Sequence, residues 1–279
     1  MSKKIKSPLR YPGGKSKALK IIIPKIPKEF SEFREPFVGG GSVFLELKQI
    51  FGESITYRIN DLNYGVYSFW KGCRDHNIKL VSELFRIKES TPTSGGRKLY
   101  NELLNSTNCS EFEEAVRFFI LNRITFSGTA ESGGYSNASF KDRFTNSSIE
   151  RVAMLEGFLD GVIINNHDFD KEVSCEGSDP FIFMDPPYYS QTSSKLYGKN
   201  GDLHVGFQHG RLKSQLEVSP YKWLMTYDDC SYIRDMYTFA NIGEWELKYS
   251  MDNFKQEKTK KGRELFICSN YTERGYYHD

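Results

Sequence analysis

The sequence predicts an α/β fold built on a doubly wound, mainly parallel sheet, and three observations predict it. Residues Phe33 to Val38 read as a strand that runs into Gly39-Gly40-Gly41 and then into a helix starting at Ser42, the βα unit of such folds. The run Phe181-Ile182-Phe183-Met184 is apolar at every position and stops at Asp185-Pro186-Pro187-Tyr188, as a strand buried on both faces does. Between these landmarks, from about Asn63 to Asp160, helical periodicity and polar loops replace the strand pattern. A helical insertion is therefore expected to interrupt the sheet, with residues 1–62 and 160–279 forming one unit and residues 63–159 another.

In chain order, Ser7 to Ser16 is rich in turn-formers and gives way to a helix near Ser16. Gly13-Gly14-Lys15-Ser16 invites a P-loop reading, but that pattern needs glycine where Leu9 stands, and no strand precedes it. The segment reads instead as a glycine turn presenting Tyr11 and Lys15, an ammonium for an anionic group and a ring for a flat or cationic one. The strand Thr56 to Asn60 ends at Asp61, twenty residues beyond Gly41. That is close to the spacing at which doubly wound folds set an acid on a ribose diol; a turn or cap is the plainer role. The order of the glycines is not G-x-G-x-x-G, which disfavours a dinucleotide.

Within the insertion, Leu80 to Lys88 and Glu111 to Ile124 read as amphipathic helices, and Thr91 to Gly96 and Ser127 to Ser136 as loops, followed by Lys141 and Arg143. In the second helix the apolar residues are packing, while Arg117 and Arg123 are surface charges or contacts to phosphate or guanine. The sheet resumes at Gly161 to Asn166, followed by His167-Asp168-Phe169. After Tyr188 comes a long polar loop, Tyr189 to Gln208, placed over the site. A helix from His209 to Glu217, a strand from Tyr221 to Tyr227 and a helix starting at Asp228-Asp229 follow. Glu244 to Met251 and Glu264 to Tyr271 make a closing hairpin.

The 279 residues are enough for a sizeable core. No apolar run approaches the ~20 residues that span a membrane. The five cysteines form no C-x-x-C pair and the five histidines no H-E-x-x-H, so neither a metal site nor a disulfide framework is expected, and the thiols fit a reducing cytoplasm. Net charge is only +2, but its distribution is uneven. From Lys3 to Lys28 there are nine Lys or Arg and no acid, and Lys255, Lys258, Lys260, Lys261 and Arg263 enclose the single acid Glu257. Two basic patches in a chain with 38 Phe and Tyr suit a phosphate backbone and stacked bases.

Taken together the motifs resemble those of the Dam-type, alpha-group DNA adenine-N6 methyltransferases. The resemblance covers nearly the whole chain: P-L-R-Y-P-G-G-K at 8–15, E-P-F-V-G-G-G at 35–41, Asn60-Asp61, H-D-F at 167–169 and D-P-P-Y at 185–188, in the family's order. It implies a Rossmann-like S-adenosylmethionine-dependent methyltransferase sheet whose mainly helical insertion is the target-recognition domain. It further implies S-adenosylmethionine contacts from Tyr11, Lys15, Pro36, Phe37, Gly39, Gly40, Gly41, Asp61 and Asp185, with Asp168 and Phe169 addressing the cofactor's adenine. Asp185, Pro186, Pro187 and Tyr188 would be catalytic. Arg117, Arg123, Ser127, Lys141, Arg143, Lys258, Lys260 and Lys261 would contact duplex DNA. Many relatives carry Trp where Tyr11 stands. Relatives specific for GATC commonly have Asn-Gly and a second arginine where this chain has Phe126-Ser127-Gly128-Thr129-Ala130-Glu131, so the resemblance does not extend to that target.

The implied chemistry needs these residue types. The exocyclic amine of adenine is a poor nucleophile because its lone pair is delocalised into the ring. The Asp185 carboxylate and the Pro186 carbonyl can accept its two N–H groups and favour a pyramidal nitrogen, an electrostatic and positional effect. The base must first leave the duplex, and Tyr188 can stack on it. The expected protein is a site-specific DNA methylase of a restriction-modification system or a solitary or phage type. It needs no metal and works in the cytoplasm of a bacterial, archaeal or phage-infected cell, with any restriction endonuclease acting separately. Related N-P-P-Y enzymes act on RNA or on protein glutamine; the aspartate form, the insertion and the basic patches favour DNA. A DNA-binding protein without catalysis is disfavoured by the intact D-P-P-Y and glycine motifs.

Overall fold

The structure, a computed structural model, describes residues 4–189, 206–248, 261–271 and 273. Among these residues seven strands form one sheet: β1 (Glu32–Glu35), β2 (Thr56–Asn60), β3 (Ile163–Asn165), β4 (Pro180–Met184), β5 (Lys222–Asp228), β6 (Asn241–Lys248) and β7 (Lys261–Cys268). Their spatial order is β3-β2-β1-β4-β5-β7-β6. β1 to β5 run parallel, and β7 lies antiparallel between β5 and β6. This is the doubly wound arrangement expected, with the closing hairpin on one edge. Strand order reverses between β1 and β4, which neighbour one another although about 145 residues separate them in sequence.

Both faces of the sheet are covered, which explains why β4 is apolar throughout. Side chains alternate along a strand. Phe181 and Phe183 enter a core shared with Phe33, Phe44 and Trp70, while Ile182 and Met184 enter a second core with Trp223, Met225 and Ile267. Helix α1 (Leu19–Ile22) and helix α2 (Ser42–Phe51), which follows the glycine turn, border the first core.

The insertion carries α3 (Tyr64–Asp75), α4 (Asn77–Ser90), α5 (Gly96–Asn105), α6 (Glu111–Ile124), α7 (Asn137–Arg143) and α8 (Asn146–Ala153). It shares the first core with the sheet. Trp70 of α3 packs edge-on against Phe44 of α2 and donates its ring N–H to Gly39 O at 2.9 Å. Helix α6 starts at a capping box in which Ser110 and Glu113 each bond the other's backbone N–H, and it is buried continuously from Glu114 to Ile124. The expectation of an amphipathic α6 is therefore corrected: it is a central helix, packed among α3, α4, α5 and α7. After β3 come α9 (Phe169–Ser174), α10 (His209–Val218) and α11 (Ser231–Met236), all on the second core. Asp228 ends β5 instead of opening the last helix, and the amino-terminal helix begins as a 3₁₀ turn at Lys15–Lys17. Most of the loop expected over the site, and residues 255–260 of the basic stretch that runs on to Arg263, lie outside the described residues.

Candidate active site

The cavity opens at the carboxyl ends of β1 and β4, the switch point of the sheet, where ligands enter folds of this kind. Its volume is about 540 Å³, within the range of small-molecule sites. Every cofactor and catalytic residue expected from the sequence lines it, together with Ser127 from the insertion.

The β1 side is built by the glycine turn. Gly39 and Gly41 have φ of +43° and +64°, the left-handed region that glycine adopts without strain. A Cβ on Gly39 would come within 2.6 Å of the Tyr11 ring, and one on Gly41 within 2.6 Å of Trp70. Tyr11 thus packs on bare backbone, and the turn closes against α3. Asp61, leaving β2, accepts the Gly39 N–H on Oδ2 and the Asn63 N–H on Oδ1, both at 2.9 Å. A carboxylate has about four acceptor positions, so the same group retains capacity for two ligand hydroxyls. Burial pushes its pKa up to about 6 against the pull of those two N–H groups. Pro36 accepts from Asn60, and Phe37 packs on Phe169 and Phe207, ring centroids 5.6 Å apart in each case.

Asp185, one residue past β4, is held on one oxygen. Its Oδ1 accepts from the Thr226 hydroxyl at 2.7 Å and from the Lys15 ammonium at 2.8 Å. Lys15 is buried, also donates to Gly13 O at 3.0 Å, and sits 5.0 Å from the centre of the Tyr188 ring. The anionic group it meets is therefore Asp185. Tyr188 stacks on Tyr227 at 5.9 Å, and its hydroxyl donates to Glu264 Oε2 at 2.6 Å. Burial first, then Asp185 and Glu264, raise the Tyr188 pKa well above the usual range, so the phenol stays protonated. Behind this layer Glu35 is buried and accepts from Phe44 N–H at 3.0 Å, which ties the end of β1 to the start of α2. Burial drives its carboxyl well above the usual range, with Asp185 and Asp61 adding to the shift.

At the far end, Asp168 caps α9 and pairs with Arg211 of α10, which lies 4.6 Å over the Phe169 ring. Sequence reasoning does not find Thr226, Glu264, Glu35 or Arg211 as site residues. Glu35 opens the E-P-F-V-G-G-G motif without being assigned a role there, the other three lie in no motif, and only the pairing of β5 with β4 and β7 brings Thr226 and Glu264 to Asp185 and Tyr188.

The residues expected to contact DNA divide. Ser127 stands in a turn at φ +52° beside exposed Phe126, and Lys141 and Arg143 are exposed on α7. Arg117 and Arg123 are not on a surface. Arg117 pairs with Glu114 at 2.9 Å and donates to Leu103 O at 2.8 Å, both inside the helical segment. Arg123 is buried, donates to Pro8 O and lies 5.4 Å over Phe119. Burial first, then Arg151, Arg10 and Arg143, lower its pKa to about 9. The physical reason is the buried setting of α6: a helix with no solvent face there turns its arginines onto internal acceptors. Lys258 and Lys260 lie outside the described residues, and Lys261 opens β7. Among the described residues no cluster of metal-type ligands occurs, and no helix is long and apolar enough to cross a membrane.

Comparison with known proteins supplies the class of reaction. The modification methylase StsI of Streptococcus sanguinis is 29% identical over 98% of this chain, which spans 44% of that protein. The type II methyltransferase M.MjaIII of Methanocaldococcus jannaschii is 25% identical over 96% of this chain and 99% of its own length. The DNA adenine methylase of Escherichia coli K12 is 33% identical over 45% of this chain and 43% of its own. The model of the D12 class N6 adenine-specific DNA methyltransferases matches residues 11–251, from the tyrosine on the glycine turn past the D-P-P-Y cavity, and the chain belongs to that family.

Proposed function

We propose that this chain methylates the N6 amine of an adenine turned out of duplex DNA into the cavity, with S-adenosylmethionine on the β1 side and the base against Tyr188. The observation that carries the reading is the fixing of Asp185. Its Oδ1 is occupied by Thr226 and Lys15, which orients the carboxylate and leaves its other oxygen to accept an amine N–H. The Pro186 carbonyl takes the second N–H. Two acceptors set in advance stabilise positive charge as it develops on nitrogen, where water would have to reorganise. Turning the base out costs a few kcal/mol. Stacking on Tyr188 returns about 1–3 kcal/mol, and the ring is already held on its hydroxyl side.

The residues around the glycine turn fit the cofactor. Asp61 supplies acceptors for a ribose diol, the bare backbone at Gly39 and Gly41 admits close approach, and Phe169 offers a ring face for an adenine. When bound, S-adenosylmethionine supplies the activated methyl. We assign residues 63–159 to target recognition. Ser127 reaches the cavity from this segment, and Lys141 and Arg143 are among its exposed cations. The names of StsI and M.MjaIII favour a modification role, with any endonuclease acting as a separate protein.

The test is to express the chain in cells lacking adenine methylation and sequence their plasmid for N6-methyladenine. Methylation confined to one short sequence is expected. Asp185→Ala is expected to abolish it while DNA binding in a gel-shift assay remains measurable. Retained methylation by Asp185→Ala sinks the mechanism.

A further inference from the structure

The turn that leaves β4 is gripped by two carboxylates from neighbouring strands. Asp228, the last residue of β5, accepts the backbone N–H of Tyr189 at 2.9 Å. Glu264 of β7, directly opposite Asp228 in the antiparallel register, accepts the hydroxyl of Tyr188 at 2.6 Å. Both acids are buried, Glu264 to 2% exposure. A side chain so placed has lost most of its hydration, and interiors retain such groups only where partners compensate. Burial raises the Glu264 pKa, Asp185 and Asp228 add to the rise, and Lys15 and the Tyr188 hydroxyl oppose it.

We propose that Glu264 is a positioning residue for methyl transfer that acts through Tyr188, its carboxylate holding the phenol hydroxyl and so setting the plane of the ring on which the target adenine stacks. The inference rests on the reading of Tyr188 as the stacking platform. Tyr227 supports the ring by stacking, which leaves the ring free to slide and turn in its plane. The hydrogen bond to Glu264 removes that freedom, because it fixes the one polar atom at the ring's far edge. Lys15 links this pair to the catalytic acid, being bonded to Asp185 and lying over Tyr188. A shift of Tyr188 would therefore move the base relative to both of its acceptors, and in-line transfer is sensitive to misplacement of that kind. The carboxylate comes from β7, a strand on the side of the sheet away from the glycine turn, and it does not line the cavity.

The experiment uses the full chain, S-adenosylmethionine and a duplex containing the sequence found methylated in cells. Single-turnover methyl transfer, cofactor affinity and the fluorescence of 2-aminopurine at the target position are measured for Glu264→Ala, Glu264→Gln, Tyr188→Phe, Tyr188→Ala and the double variant Tyr188→Phe/Glu264→Ala. Glu264→Ala and Tyr188→Phe are each expected to slow transfer about tenfold or more, the scale of one hydrogen bond to a charged group. The double variant should be no slower than the slower single variant, because both remove the same interaction. Glu264→Gln keeps an acceptor and should stay within about threefold of the parent, and cofactor affinity should stay within about twofold in every Glu264 variant. The 2-aminopurine emission should rise further in Glu264→Ala, as the extruded base stacks less well. Should Glu264→Ala fail to fold, Glu264→Met, of similar volume, takes its place with the same expectation. Transfer at the parental rate in Glu264→Ala, additive losses in the double variant, or no rescue by Glu264→Gln each overturns the inference. Tyr188→Ala at the parental rate overturns the stacking reading itself. Slow Tyr188→Ala beside fast Glu264→Ala removes only the role of Glu264.

Discussion

Asp61 shows how far one side chain's environment reaches into function. Its carboxyl is raised to about 6 by burial, so it gains its charge just below neutrality. A raised acid binds protons more tightly in the folded chain than in the unfolded one. Its contribution to the stability of the free protein is therefore fully present below the unfolded pKa of 3.8 and is lost as pH rises through about 6. If Asp61 holds the cofactor ribose as proposed, ligand binding runs the other way, because ribose hydroxyls donate more strongly to the ionised form. The affinity for S-adenosylmethionine, measured by calorimetry, is expected to increase between about pH 5 and pH 7, and in Asp61→Asn to be weaker and nearly flat over that range. An unchanged slope in Asp61→Asn would assign the titration to another group. Asp61 is legible in the sequence from its spacing alone. Its second task, bonding the N–H of Gly39, is not, because that bond joins the ends of two strands.

At the scale of elements the glycine turn is the clearest case of sequence dictating structure. Gly41 has φ +64°, and a methyl group there would meet Trp70 at 2.6 Å. Gly41→Ala therefore carries the left-handed cost of about 1–2 kcal/mol plus displacement of a fully buried indole. In a domain of this size that lowers Tm by about 2–8 °C, measurable by thermal unfolding, and cofactor affinity should fall with it. A variant with unchanged Tm would mean that α3 yields easily. Helix α6 is the opposite case. Its ends are written locally, because Ser110 and Glu113 form a capping box and Thr125 ends it in extended geometry. Its environment is not: charged residues and an asparagine on an otherwise apolar helix look like a solvent face. In the structure Arg117 answers Glu114, Asn122 bonds the backbone of Arg10 and Gly128, and Arg123 reaches Pro8. The bonds of Asn122 to Arg10 and of Arg123 to Pro8 dock the amino-terminal segment, and with it Tyr11 and Lys15, onto the insertion.

For the molecule as a whole, net charge is small and its placement carries the meaning. Lys258 and Lys260 lie in sequence between β6 and β7, which pair antiparallel, and Lys261 opens β7. Replacing all three by alanine is expected to weaken binding to every DNA sequence alike. The slope of log affinity against log salt should fall by up to about 3, near 0.9 for each phosphate no longer neutralised. Titrations of specific and unrelated duplexes at several salt concentrations measure this. A loss confined to the specific duplex would mean that the stretch reads bases. The single core shared by sheet and insertion bears on the same question. On the proposed assignment the segment that reads DNA packs on the sheet through this core, and its Ser127 lines the cavity.

The sequence by itself determined the type of sheet, the order of its motifs and the motif residues that line the cavity, because each depends on local geometry. A glycine turn, a strand ending in two prolines and a capping box are written in consecutive residues. Tertiary structure alone decided which groups surround those residues. Thr226 and Lys15 on Asp185, Glu264 on Tyr188 and Arg211 on Asp168 come from segments up to 170 residues apart in sequence. Their meeting depends on strand register and on a core that buries polar side chains only where partners await them, neither of which leaves a periodic signal in the chain.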